Sequence, residues 1–160
     1  MFAIYTDSLT SRFDNVCVLK YADDTAIVGL CKDKYLNCLA NYHCTIEEVI
    51  DWCKRHSLLI NGSKTKEVIV DFRTAQYHDP ITVDNCAIDV VSDFKYLGLT
   101  FSRGLTWDTH IDNMLVKVRQ RLFCVRKLAG FGLKFEKQLW LFQVMVFSVI
   151  IYCAPVWLSS

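Results

Sequence analysis

Two runs of β-branched and apolar residues, Val16–Tyr21 and Thr25–Cys31, flank the polar triplet Ala22-Asp23-Asp24. Runs of this length around a short polar turn predict a β-hairpin with two carboxylates at its tip. The period then changes. From Asp33, a residue suited to a helix N-cap, core-type positions recur at Leu36, Leu39, His43, Ile46, Ile50 and Cys53, with Trp52 alongside. Three-four spacing of this kind marks one face of a long helix, which should end near His56.

Beyond the helix, Leu58-Leu59-Ile60, the polar turn Asn61-Gly62-Ser63-Lys64 and the run Glu67 to Phe72 predict strand, loop and strand. Ile81–Val83 and Ala87–Val91 flank Asp84-Asn85, a hairpin signal, and Phe94–Phe101 is a further apolar stretch around Gly98. After Gly104 the spacing returns to three-four through Ile111, Leu115, Val118, Leu122, Val125 and Ala129, on a basic helix that Gly130 and Gly132 should end. A second helical run, apolar on nearly every side, begins at Phe135. The fold class expected is α+β: antiparallel hairpins with one long helix over residues 1–102, then an all-helical lobe over 103–160.

Composition supports a folded chain. Of 160 residues, 52% are apolar and 22% charged, with only two prolines and six glycines, a profile that excludes intrinsic disorder. Eight cysteines, at 17, 31, 38, 44, 53, 86, 124 and 153, form no Cys-x-x-Cys pair. They read as reduced core residues of an intracellular protein, nuclear or cytoplasmic. Met1 to Thr10 has neither a basic start nor a long apolar run, so no secretory signal is expected. Charge is unevenly placed: residues 1–102 hold ten Lys/Arg against fourteen Asp/Glu, and residues 103–160 hold eight against three. The second part is therefore where a phosphate backbone would be met.

Adjacent aspartates in a turn are ordinarily no more than a solvated turn. Here apolar strands on both sides hold them rigidly, which suits a different purpose. Nucleotidyl transfer uses two divalent ions about 3.5–4 Å apart, and hard Mg²⁺ prefers carboxylate oxygens while keeping coordination positions open for water and phosphate. Side chains diverge along an extended backbone, so Asp23 and Asp24 need not contribute equally.

Tyr21-Ala22-Asp23-Asp24 with these flanks resembles the Y/F-A-D-D motif of reverse transcriptases from non-LTR (LINE-type) retrotransposons. Trp52-Cys53 with Leu58-Leu59-Ile60-Asn61 and Lys64-Thr65 is similar to that family's W-C…L-x-L-N-x-x-K-T segment. Phe94-Lys95-Tyr96-Leu97-Gly98 resembles its F-x-Y-L-G strand, Trp107…His110-Ile111 its W-x-x-H-I thumb opening, and Tyr152-Cys153…Trp157 its Y-G-x-x-x-W thumb ending. The resemblance implies a partial polymerase palm followed by a thumb. Asp23 would be the principal ligand of Mg²⁺ (or Mn²⁺) and Asp24 its helper, with Tyr21 and Ala22 shaping the hairpin beside primer and nucleotide. Lys64 would stand near the leaving pyrophosphate as a general acid, and Tyr96, Leu97 and Gly98 would grip the primer strand.

Lys117, Arg119, Arg121, Arg126 and Lys127 on the first thumb helix would track a duplex through its phosphates. Implied partners are an RNA template, a DNA primer, deoxynucleoside triphosphates and the upstream palm and fingers half. A bland role stands beside several of these: Lys64 as an exposed loop lysine, Gly98 as a bulge, and Trp107 and His110 as packing anchors.

The family's remaining metal-binding aspartate, expected on an upstream strand, is not found, since Asp7 and Asp14 lack the surroundings. These 160 residues alone are thus expected to be inactive. Two other readings remain open. A non-catalytic nucleic-acid-binding remnant would keep the basic thumb. Leu139–Leu158, uncharged between Trp140 and Trp157, has the length of a membrane span, although Gln143, Ser148 and Pro155 argue against one and no membrane partner is expected.

Overall fold

The computed structural model describes residues 5–31, 35–70, 80–83 and 86–158, with the side chains of 35 and 36 outside the description. It divides into two units, Met1–Glu67 with Gln76–Val90 and Val68–Ala75 with Val91–Ser160. The mixture of helices and small, mainly antiparallel sheets agrees with the α+β expectation.

In the first unit, strands β1 (Val16–Tyr21) and β2 (Asp24–Gly29) pair antiparallel from Val16↔Gly29 to Tyr21↔Asp24. Alternation decides the faces: Val16 and Val18 point inward, whereas Cys17, Leu19 and Tyr21 point out. Both strands pack on helix α1 (Tyr35–Arg55). The contact is close at Gly29, where an added Cβ would stand 3.0 Å from the Tyr42 ring. The expected N-cap Asp33 lies outside the described residues.

Helix α1 buries a wider face than its periodicity indicates. Ile46 joins Ile81, Val83 and Ile88 in one cluster, and Val49 and Trp52 join Leu9 in another. Because the helix has packing on two sides, Thr45 is buried and His43 is only half-buried. It ends at the expected place through a Schellman motif, with bonds from Leu58 N to Cys53 O and from Ser57 N to Lys54 O. Ser57, at φ 56°, occupies the left-handed position that glycine usually fills. This turn folds Leu58 back onto the Trp52 cluster, so Leu58–Ile60, expected as a strand, is irregular.

Short pairs complete the unit. Strand β3 (Lys66–Glu67) runs parallel to β6 (Asp89–Val90), and β4 (Thr82–Val83) pairs antiparallel with β5 (Cys86–Ala87). The Asp84-Asn85 turn of this second pair falls outside the described residues. The strand expected from Glu67 to Phe72 ends at Glu67, residues 68–70 being irregular, and its part beyond 70 is likewise outside the described residues. The cysteine reading requires correction. Cys31 and Cys38, brought to 5.4 Å between Cα atoms at the end of β2 and the start of α1, form a disulfide. Cys17, Cys86 and Cys124 are exposed rather than in the core.

The second unit begins with the antiparallel hairpin β7 (Asp93–Tyr96) and β8 (Leu99–Ser102), joined by the two-residue turn Leu97-Gly98. Both turn residues have positive φ, 46° and 86°, as a type I′ hairpin turn requires. Helix α2 (Asp108–Ala129) follows and buries Met114, Val118 and Val125 against Val146 of the second helical run. That run comprises α3 (Phe135–Phe142), a π-helical turn (Gln143–Phe147) and α4 (Ser148–Ile151).

Leu139–Leu158 is not one helix. The chain leaves the helical region at Tyr152, turns through Cys153 at φ 51°, and restarts as α5 (Ala154–Trp157) with Pro155 in its first turn. A helix continued through this point would need an N–H that proline lacks, whereas at a helix start that group has no partner to lose. Among the described residues no helix is long and apolar enough to cross a membrane, so the membrane-span reading of 139–158 has no helix to rest on.

A β-carbon in the left-handed region costs about 1–2 kcal/mol, partly offset by the greater unfolded-state freedom of glycine. Cys153→Gly is therefore expected to raise unfolding free energy by about 0.5–1 kcal/mol, read as a higher urea midpoint at unchanged slope. A lower midpoint would show that the thiol's packing outweighs the backbone strain.

Candidate functional site

The β1–β2 turn consists of Ala22 and Asp23, since Asp24 already belongs to the ladder opposite Tyr21. Ala22 has φ 52°, a left-handed value that an alanine rarely takes. The two carboxylates are thus held differently: Asp23 sits on the turn, and Asp24 is fixed by strand pairing on the outward face beside Tyr21 and Leu19. Both are exposed, and among the described residues neither takes part in an ion pair. The nearby Lys20 spends its ammonium on the Thr6 and Asp7 carbonyls, at 2.6 and 3.4 Å. Among the described residues no group of three His, Cys, Asp or Glu side chains converges as a metal site.

Lys64 is exposed on the turn after α1. Its position is set by Asn61, whose Oδ1 accepts from Ser63 Oγ at 2.8 Å and from Lys64 N at 3.1 Å. The Asn61 carbonyl accepts in turn from Thr65 Oγ1 at 2.9 Å. This side-chain-built turn gives a physical reason for an asparagine three residues before the lysine.

The second unit holds a cavity of about 560 Å³ whose wall includes Lys95 and Gly98 of the β7–β8 hairpin, Lys117 and Arg121 of α2, buried His110, and Tyr152. It brings together three of the expected nucleic-acid residues, Gly98, Lys117 and Arg121, and adds Lys95, which the sequence did not single out. Arg121 is partly committed, donating from Nη1 to the Met145 carbonyl at 2.7 Å inside the π-helical turn.

The five helix bases do not form one stripe. At about 100° per residue, Lys117 and Arg121 lie some 40° apart on the cavity side, while Arg119 and Arg126 lie on the opposite, exposed side. Lys127 is 5.4 Å from the Phe123 ring centroid. Tyr96 and Leu97 belong to the hairpin above the cavity without lining it.

Trp107 and His110 act as packing anchors at the start of α2. His110 is buried, accepts from Thr100 N through Nδ1 at 3.4 Å, and stands near the Trp107 and Trp157 rings. Burial, then the charge of Lys117, pushes its imidazole below the usual histidine range.

The chain is 29% identical over 142 residues to a probable RNA-directed DNA polymerase from transposon BS of Drosophila melanogaster. It is 28% identical over 113 residues to the RNA-directed DNA polymerase from mobile element jockey of the same organism. The chain is thus similar to parts of two RNA-directed DNA polymerases of transposable elements. The alignments cover 86% and 68% of the chain but only 15% and 12% of the two polymerases, so it spans a small part of their length. No family model and no solved structure matches the chain.

Proposed function

We propose that the chain supplies the carboxyl-terminal part of a reverse-transcriptase palm over residues 1–102 and the helical thumb over 103–160. The observation that carries this reading is the placement of Asp23 on a two-residue turn with Asp24 in the adjoining ladder position, both exposed at the end of a strand pair braced by α1. Hard oxygen donors without a competing ion pair among the described residues fit Mg²⁺ or Mn²⁺. Asp23 would be the principal ligand and Asp24 the second. The ions would supply charge neutralisation and a lowered pKa for the attacking hydroxyl. Tyr21 and Ala22 would border the primer end, and Lys64 would place an ammonium near the leaving pyrophosphate.

The cationic cavity of the second unit would take strand phosphates, with Tyr96, Leu97 and Gly98 as the hairpin that meets the primer. Template RNA, primer DNA and deoxynucleoside triphosphates are the corresponding ligands. Two carboxylates make an incomplete two-metal site, so these 160 residues by themselves should bind primer–template without extending it. Extension assays with Mg²⁺ are expected to give no product above background. Product that disappears with Asp23→Ala would overturn the expected inactivity while strengthening the metal assignment, and failure to bind primer–template would overturn the reading itself.

A further inference from the structure

Tyr152 reaches across 55 residues of sequence to donate from its hydroxyl to the Leu97 carbonyl at 2.6 Å. Its ring also lies against Gly98, where an added Cβ would stand 3.1 Å from Tyr152 Cε1. The turn so held is an unfavourable one, because Leu97 takes a left-handed φ of 46° at a position that asparagine or glycine fills most readily. The other end of the strut is anchored as well. The indole of Trp157 donates to the Tyr152 carbonyl at 3.0 Å and packs against the Met114–Val146 cluster. The left-handed Cys153 turns the chain between these two contacts.

We infer that Tyr152 is a positioning residue that holds the Leu97-Gly98 turn over the cationic cavity and thereby sets the gap between Lys95 on the hairpin and Lys117 on α2. Gly98 and Tyr152 both line that cavity. The strut joins the break between α4 and α5 to the hairpin, so the grip depends on a residue that need not touch the strand. The functional part of this inference rests on the nucleic-acid reading above, whereas the strut itself does not.

The test therefore has two arms on the full chain. In the free protein, Tyr152→Phe keeps the ring and removes the hydroxyl, and amide exchange at Gly98 and Leu99 should quicken about tenfold with little change in melting temperature. In binding to an RNA–DNA primer–template, the same variant should lose about five- to tenfold in affinity with an unchanged salt slope, since no phosphate contact is removed. Adding Leu97→Asn, which suits the turn without a strut, should restore slow exchange. Unchanged exchange in Tyr152→Phe would overturn the strut. Quickened exchange with unaltered affinity would overturn its role in positioning. If the unaltered chain bound no primer–template, the nucleic-acid reading would fall and the exchange arm would still decide the strut.

Discussion

Trp52→Ala is expected to lower the free energy of unfolding of the first unit by about 3–5 kcal/mol, the usual cost of truncating a buried indole to a methyl group. Trp52 is 7% exposed and sits with Leu9 and Val49 in a cluster supported by Val18, Ile27, Cys53 and Leu58. Its ring stacks on His56 at 4.0 Å, and its Nε1 donates to Ser8 Oγ at 3.3 Å. Losing it empties the space where the amino-terminal segment, the hairpin and the helix end all meet. A domain of this size has about 5–15 kcal/mol in total, so the loss should be visible as early urea unfolding followed by circular dichroism. A change below about 1 kcal/mol would mean that the unit repacks and that the cluster is not its main support.

The second large effect concerns salt. If the cavity engages three phosphates through Lys95, Lys117 and Arg121, log affinity should fall with log salt at a slope near −2.7. Raising potassium chloride from about 50 to 200 mM would then weaken primer–template binding roughly 40-fold. Lys117→Ala should reduce the slope by about one, whereas Arg126→Ala, on the opposite side of α2, should leave it in place. Fluorescence anisotropy at four or five salt concentrations measures both. Equal effects of the two substitutions would return the cations to a diffuse surface role and remove the cavity from the argument.

Periodicity was a good guide where one face of an element is buried. The β1–β2 hairpin and the extents of α1 and α2 follow from alternation and three-four spacing, because in each case the apolar side chains have one surface to cover. It was a poorer guide where packing comes from two sides, as on α1, where Val49 and Thr45 are buried and His43 is not. On α2 the stripe was read through Leu115, yet Met114 is the buried residue. Helix and hairpin ends that use left-handed backbone were illegible at Ser57, Leu97 and Cys153, since none of these is a residue type that announces such a conformation. The carboxylates were visible as a pair, but their different backbone environments were not. Lys95 and Tyr152 were missed as members of a shared cavity because their relation to Lys117 is purely spatial. The disulfide escaped for the same reason: two cysteines seven apart say nothing until the end of β2 and the start of α1 are seen to meet.

Asp24 stands opposite Tyr21 as the last rung of the hairpin. Side chains alternate along a strand, so a slip of β2 by one residue against β1 would carry Asp24 from the open face, which Tyr21 keeps, to the face that packs on α1. The inward residue of β2, Ile27, resists that slip, because it would be turned out to water while Val16 and Val18 stay inward. Ordinary aliphatic side chains therefore proofread where a carboxylate is delivered, and substitutions several residues from the turn can erase its chemistry while both aspartates remain in the sequence.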